Sequence, residues 1–554
     1  MTNHPNSTEQ NSAAPLEMGE PSYPAALDPF HNGEGIPFVD MWVDGHRETH
    51  KVSSETFRQR LFLRSGERDG VAPAASKLKA QIEQARATAL HPNSPERKVF
   101  IRVACVDGHI YIDLADADWN VVDVGPDGWK VIKDPPVRFI RTPGMVPLPT
   151  PQAGGSIASL KALVNVNDED DFVLLIAWVL NALRNEAQHP VLVLTGGEGT
   201  AKSTLINILR SLIDPGCIPF KGLPRSETEF TRLFGERYLQ GFDNVSDLSR
   251  NLSDALCRYS TGGNARPIII NGIGDVVKRL DLADRCIFIP CEVIPEGARR
   301  SEVELWSDFE EARPQLFGLL LDALSHGLKH LPETQPQNLP RMADFALWAT
   351  ACEGALWTPG TFTAAYGGSI SETVEKMIAA DLVASAVRQL MVKRPTWTGT
   401  ASELDGHLRV ITGLVGTTPP GWPSDPARLG RRLRELAPSL SKVGIVVAFT
   451  KTGRNRSRDI TISARTVPQS PSTDAAGTDV DAIRSSPPSA TSAVSEPLAG
   501  AGGADGADGS EPLSTTGALP SPSRRGHFRP RTPVHNHGVA TADARSERNG
   551  GTDQ

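Results

Sequence analysis

The chain is poor in cysteine: six residues in 554, scattered, with no C-x-x-C pair. That spacing offers neither a zinc cage nor a disulfide framework, and a reducing cytoplasm is the expected compartment. Long apolar runs are missing. The longest, residues 172–180, is too short to cross a bilayer and reads as a core helix, so no membrane partner is expected. The first residues are rich in Asn, Ser, Glu and Pro and carry no charged-then-apolar export pattern. An excess of positive charge is missing too. The formal net charge of −8 excludes an overall basic coat for nucleic acid and leaves room only for local patches. Aromatic residues are 6% of the chain, and no ring of them is visible for stacking single strands. What is there, 22% charged and 39% hydrophobic residues, suits a soluble chain of several domains.

The chain is organised around residues 191–204. Val191, Leu192, Val193, Leu194 and Thr195 read as a buried strand. Gly196, Gly197, Glu198, Gly199, Thr200 and Ala201 make a turn, followed by Lys202, Ser203 and Thr204. Leu205, Ile206, Ile208, Leu209, Leu212 and Ile213 then have the spacing of one helix face. Strand, glycine loop, Lys-Ser, helix is the pattern of a phosphate-binding P-loop. In it, backbone N–H groups turn in around phosphate oxygens, and the helix start adds its positive dipole end. Residues 196–204 are therefore the candidate ATP contacts. Lys202 would neutralise the β- and γ-phosphates, and the Ser203 hydroxyl would hold Mg²⁺. Ala201 stands where the pattern has glycine, which predicts a negative φ there.

The remaining chain divides by composition. Residues 1–35 are polar and proline-rich and are expected to be disordered. Residues 36–141 read as an accessory domain, helical and then a β-meander, with hairpins at Asp107-Gly108 and Pro126-Asp127-Gly128 and a fifth strand at 137–141. Residues 142–155 are a Pro/Gly-rich linker. From 156 to 300 apolar strands alternate with helices, the signature of a parallel sheet covered on both faces. Residues 301–395 carry only helical spacing and are expected to form a helical lid. Residues 396–465 run helix, helix, two-stranded hairpin, the order of a winged helix. Residues 466–554 are Ser, Pro, Gly, Ala and Thr with few large apolar residues, hence a disordered tail.

ATP hydrolysis needs a carboxylate for the Mg²⁺ shell, a group that places water, and a cation for the transition state. Asp243, after an apolar strand, suits the carboxylate. Asn271, ending the 268–270 strand, suits a polar sensor between phosphate and water. Arg285 suits a cation reaching a neighbouring subunit, with Arg279 as the alternative.

These residues carry a resemblance. The chain from about residue 161 to 290 resembles an AAA+ ATPase core. Gly-Glu-Gly-Thr-Ala-Lys-Ser resembles the P-loop of minichromosome-maintenance helicases, which also have Ala before Lys. The strand running into Asn271 resembles motif C of superfamily-3 helicases. More narrowly, the chain is similar over roughly residues 50–460 to a family of actinobacterial phage- and mobile-element-type ATP-binding proteins. Asp243-Asn244-Val245-Ser246, Thr261-Gly262-Gly263, Arg266 to Ile273 and Arg341 to Ala346 are among the stretches that carry it. The resemblance implies ATP and Mg²⁺ as cofactors and a ring-forming homo-oligomer, a hexamer by analogy. Helicase activity, DNA replication and partners such as primase are a further step by analogy.

Two departures bear on activity. Asn244 follows Asp243 where an acidic residue is usual, and an amide cannot accept a proton as general base. Only residues 261–266 separate the helix from the sensor strand, where replicative helicases of this clade carry a longer segment with a DNA-facing hairpin. DNA contact therefore rests on the C-terminal region. Arg431, Arg432 and Arg434 lie on its second helix, and Lys451, Arg454, Arg456 and Arg458 on the wing; a solvated basic face is the simpler alternative. The expected function is an AAA+ ATPase of mobile-element replication, possessing helicase-like character. The alternatives are an ATP-gated DNA-binding or loading module with little hydrolysis and, less well matched, a small-molecule kinase.

Overall fold

The computed structural model describes residues 27–465, apart from 186–187, 221, 225, 263–264, 337–338, 417 and 453–456. All of these belong to a unit spanning Met1–Ser470. The chain enters through a three-stranded antiparallel sheet, β1 (Asp28–His31), β2 (Pro37–Val43) and β3 (His46–Lys51). The expected disorder of residues 1–35 is therefore corrected at 28–31. Phe30 is fully buried, stacked on Phe38 with Arg97 and Arg138 over its ring, and a four-residue strand is too short to show a pattern. Residues 1–26 lie outside the described residues. β2 and β3 are also unannounced, since residues 36–141 read as helical before the meander, and the sequence of β3 is polar throughout. β3 buries the Glu48 carboxylate, which takes His46 at 3.2 Å, His50 at 2.8 Å and Arg60 at 2.7 Å. Helices α1 (Glu55–Asp69) and α2 (Ala75–Ala89) pack Phe57, Leu61, Leu78 and Ala85 against Val39 and Met41 of this sheet.

The meander follows as β4 (Val103–Val106), β5 (His109–Asp113), β6 (Val121–Gly125) and β7 (Gly128–Ile132), in sequential antiparallel order. The expected fifth strand at 137–141 reduces to one bridge, Phe100 with Phe139. Residues 142–155 are a packed strap rather than a loose linker. Val146 and Leu148 donate backbone hydrogen bonds to Pro215 and Leu114, and Gln152 to Pro314. The strap passes so close to the helix beneath it that a Cβ on Gly318 would lie 1.9 Å from the Gln152 carbonyl oxygen.

The central elements are α3 (Ile157–Lys161), α4 (Glu169–Ala182), β8 (Val191–Thr195), α5 (Lys202–Ile213), α6 (Glu227–Phe234), β9 (Gln240–Val245), α7 (Arg250–Thr261), β10 (Ile268–Gly272), α8 (Leu280–Ala283) and β11 (Cys286–Pro290). The four strands pair in parallel in the order β11-β8-β10-β9. Period-2 alternation sends Leu192, Leu194, Ile269 and Ile287 to one face, packed with α4 and α5. It sends Val191, Val193, Ile268 and Ile270 to the other, packed with α6 and α7. Each large side chain so buried contributes about 1.5–3 kcal/mol, which is why these strands read as continuous apolar runs.

Four helices follow: α9 (Glu302–His330), α10 (Ala343–Glu353), α11 (Thr361–Ala380) and α12 (Leu382–Lys393). The expected lid is less separate than its sequence suggests. α9 to α11 share one core with α4, α5, the sheet and the inner face of the meander. Trp129 of β7 donates to the Asp322 carboxylate of α9 at 2.8 Å, and Ser325 donates to Gly125 O at 2.7 Å. α12 instead joins the C-terminal core, so residue 395 is not where packing changes hands. That core holds β12 (Thr396–Thr400), α13 (Ala401–Thr412), α14 (Pro426–Lys442), β13 (Ile445–Thr452) and β14 (Ser457–Ala464). Its antiparallel sheet has the order β12-β14-β13. β12, a threonine-rich strand, is a further element that the sequence did not announce. The tail from 466 onward lies outside the described residues.

Candidate nucleotide-binding site

Gly196 to Ala201 connect the C-terminal end of β8 to the start of α5. The expectation of a negative φ at Ala201 is overturned: it sits at φ 55°, ψ 26°, in the left-handed region. The turn needs that conformation whichever residue occupies it, and a Cβ there costs about 1–2 kcal/mol. Lys202 opens α5 with its side chain buried. Its ammonium donates to Gly196 O at 2.9 Å, Gly197 O at 2.6 Å and Thr200 Oγ1 at 3.1 Å. Thr200 in turn donates to Gly197 O at 3.0 Å. Glu198 and Ser203 are exposed, and Thr204 is half-buried.

Parallel pairing places the ends of β9 and β10 beside this loop. Asn271 is opposite Leu194 and Gly272 opposite Thr195. Between β10 and β9 the register slips: Ile270 faces Phe242 while Gly272 faces Val245, so Asp243 and Asn244 together oppose Asn271. This is a β-bulge, a device that re-aims side chains at the end of a strand. Asn244 carries it at φ 54°, a conformation asparagine tolerates better than most residues. Its backbone N–H donates to Asp243 Oδ1 at 2.9 Å. The Asn271 amide donates to Asp243 Oδ1 at 2.5 Å and reaches Ser203 Oγ at 3.5 Å. Its Oδ1 is buried and has no hydrogen-bond partner.

Lys202, Ser203, Asp243 and Asn271 thus converge. Arg285 does not join them. It precedes β11, whose first residue pairs with Val191, so it stands at the opposite end of the sheet from the loop. Its guanidinium donates to Asp281 O at 2.5 Å and approaches Cys257 Sγ at 3.7 Å, and its Nε is buried without a partner. Arg279 is tied to Asp254 at 2.9 Å and Asp281 at 2.6 Å.

Other contacts went unread in the sequence. Asn165 Nδ2 bridges Thr200 O at 3.1 Å and Glu292 O at 2.7 Å, clamping the loop to the segment after β11. A Cβ on Gly199 would meet Arg299 Nη2 at 3.4 Å, so that guanidinium lies against the crown of the loop. Neither residue sits in a periodic or motif context. Nearby, burial and the Asp168 and Glu372 carboxylates push the Asp171 carboxyl up to about 6.

The DNA-contact candidates are dispersed. Arg431 of α14 is exposed. Arg432 is half-buried and paired with Asp381 and with Glu435, the latter at 3.0 Å. Arg434 lies over the Phe449 ring at 4.6 Å. Lys451 and Arg458 are opposite in the β13–β14 register, and their side chains, like Arg454 and Arg456, lie outside the described residues. Among the described residues, no group of three or more His, Cys, Asp or Glu is placed to hold a metal, and no helix is long and apolar enough to cross a membrane.

The molecule is thus a mixed α/β protein in which a parallel four-stranded sheet presents a lysine-bearing loop beside a carboxylate and an amide. Residues 157–265 and 261–372 match the family of the actinomycete integrative conjugative element replication protein, and residues 383–477 match the C-terminal domain of the RepA proteins of such elements. These matches support a replication-associated protein of a mobile element. The second match begins one residue into α12, just after Val374 and Ile378 of α11 have opened the C-terminal core. No curated protein is a match to the chain. Among solved structures, an apo form of the NrS-1 C-terminal region overlays with 11% identity over 79% of this chain and 96% of that one, at a TM-score of 0.35. A second apo structure of that region gives 12%, 79%, 96% and 0.34.

Proposed function

We propose that the chain is an AAA+-type P-loop ATPase that acts on DNA in the replication of a mobile element. The observation that carries this reading is the convergence of Lys202, Ser203, Asp243 and Asn271 at the C-terminal ends of β8 to β10. The donor set fits a nucleotide with Mg²⁺. Ser203 and Asp243 supply oxygen ligands suited to a hard cation, which takes its remaining ligands from phosphate and water. The orphaned Asn271 Oδ1 offers an acceptor to a water in the site. Bound ATP and Mg²⁺ would supply the anhydride and the divalent charge. Lys202 exchanges its loop carbonyls for phosphate oxygens, Asp243 and Ser203 hold the metal side, and Asn271 orients water. The α12–β12–α13–α14–β13–β14 order supports a winged-helix reading, with Arg431 and Arg434 facing DNA. Arg285 is assigned to the nucleotide of a neighbouring subunit in a ring.

Purified protein should turn over ATP, and double-stranded DNA should change the rate. Lys202→Ala should lower both turnover and nucleotide affinity at least tenfold. Unchanged turnover in that variant sinks the ATPase reading. A second reading, an ATP-gated DNA-binding module with slow hydrolysis, is favoured by Asn244. A glutamate general base at that position would have to bear the left-handed backbone that asparagine accepts.

A further inference from the structure

The C-terminal core does not merely follow the sheet; it grips α8. Leu280 of α8 packs against that core, and Lys442, in the last turn of α14, donates to Asp284 Oδ1 at 2.7 Å. Asp284 is the C-cap of α8 and the residue before Arg285. The arginine itself is held inward by the carbonyl of Asp281, on the same single turn. That inward arrangement is imperfect, since its Nε is buried and makes no hydrogen bond. A buried donor without an acceptor carries a desolvation cost that any outward arrangement reaching an oxygen would remove. The other cation on this turn, Arg279, has two carboxylate partners and no such incentive to move.

We propose that Asp284 and Lys442 are positioning residues that tie the DNA-facing helix α14 to Arg285. The proposal rests on the reading of α14 as the DNA-facing helix and of Arg285 as the inter-subunit cation. With the pair closed, α8 keeps Arg285 turned in. DNA phosphates drawn to α14 compete for Lys442, the tie opens, and Arg285 is free to reach outward. Such coupling is reciprocal: whatever loosens Arg285 when DNA binds must also tighten DNA when the tie is cut.

The test uses the full chain, a double-stranded DNA oligonucleotide and steady-state ATP turnover. Asp284→Asn leaves Lys442 available to DNA and removes the charge that holds it. It should raise DNA-free turnover severalfold towards the DNA-bound rate and tighten DNA binding by a similar factor. Lys442→Arg alone, which keeps a cation opposite Asp284, should retain wild-type behaviour in both. A merely structural pair would instead lower turnover and stability together. The inference is overturned if Asp284→Asn leaves the ratio of DNA-bound to DNA-free turnover unchanged, or lowers both rates equally. Arg285→Ala separates the inference from the reading beneath it. Full turnover in that variant removes Arg285 from the reaction and the inference with it. Lost turnover together with an unresponsive Asp284→Asn leaves the reading standing and removes only the tie.

Discussion

At residue scale, two left-handed residues other than glycine mark the candidate site, and they differ in how well they suit it. Asn244 occupies its bulge with a side chain that tolerates φ 54°. Ala201, at φ 55°, does not have that tolerance. Ala201→Gly should therefore stabilise the protein by about 1 kcal/mol, the steric relief exceeding the extra entropy of a glycine. Urea denaturation with fixed m-value checks this; no gain, or a loss, would mean the loop holds Ala201 without strain. The P-loop pattern made Lys202 and Ser203 legible directly. Asp243 and Asn271 were legible as polar residues ending apolar strands. Asn165 and Arg299 were not, because a side chain that ties a loop 35 residues away to a segment 127 residues away leaves no local trace.

At element scale, a buried arginine joins the meander to α5. Arg102 is fully buried. It donates to Asp214 Oδ1, Asp113 O and Val146 O, each at 2.9 Å. Asp214 caps the end of α5, and its other oxygen accepts the Leu239 N–H just before β9, the strand that carries Asp243. Removing the guanidinium leaves the buried Asp214 charge and two carbonyl oxygens, of Asp113 and Val146, without this donor. Arg102→Ala should cost about 3–5 kcal/mol, as for other broken buried pairs, read as a lower urea midpoint. A loss below 1 kcal/mol would show water replacing the guanidinium. Element by element, the meander hairpins, the parallel strands and the C-terminal helices were readable from turn residues and periodicity. β1, β3 and β12 were not, because short or polar strands owe their pairing to neighbours rather than to their own pattern.

At the scale of the whole molecule, buried titratable groups set how the fold answers to acid. Burial, with Arg266 and Arg184 nearby, pulls the His189 imidazole down to about 3. Unfolded, it titrates near about 6.5. Between those values the unfolded chain binds a proton that the folded chain refuses, so stability falls as pH falls, by at most about 1.4 kcal/mol per pH unit for one proton. His189→Gln should flatten that part of the stability curve between pH 6.5 and 4, measured by chemical denaturation across the range. An unchanged slope would place the acid sensitivity in other groups. The same scale explains why the expected lid and meander are not independent units: both bury their apolar faces in one core with α4 and the sheet.

What the sequence by itself determines here is local. A glycine loop between a strand and a helix, polar ends on apolar strands, and hairpin turns all depend on neighbours a few residues away, where backbone sterics and side-chain period act directly. What only the tertiary structure decides is which of those pieces meet. Parallel pairing sets Asn271 beside Asp243 and Ser203, and it leaves Arg285 a strand-length away from them. The fold turns the 142–155 stretch into a packed strap, assigns α12 to the C-terminal core, and places Lys442 on Asp284 across 158 residues. Such contacts are settled by core packing and by the pairing of buried charges between distant segments, and nothing in the composition of either segment records its partner.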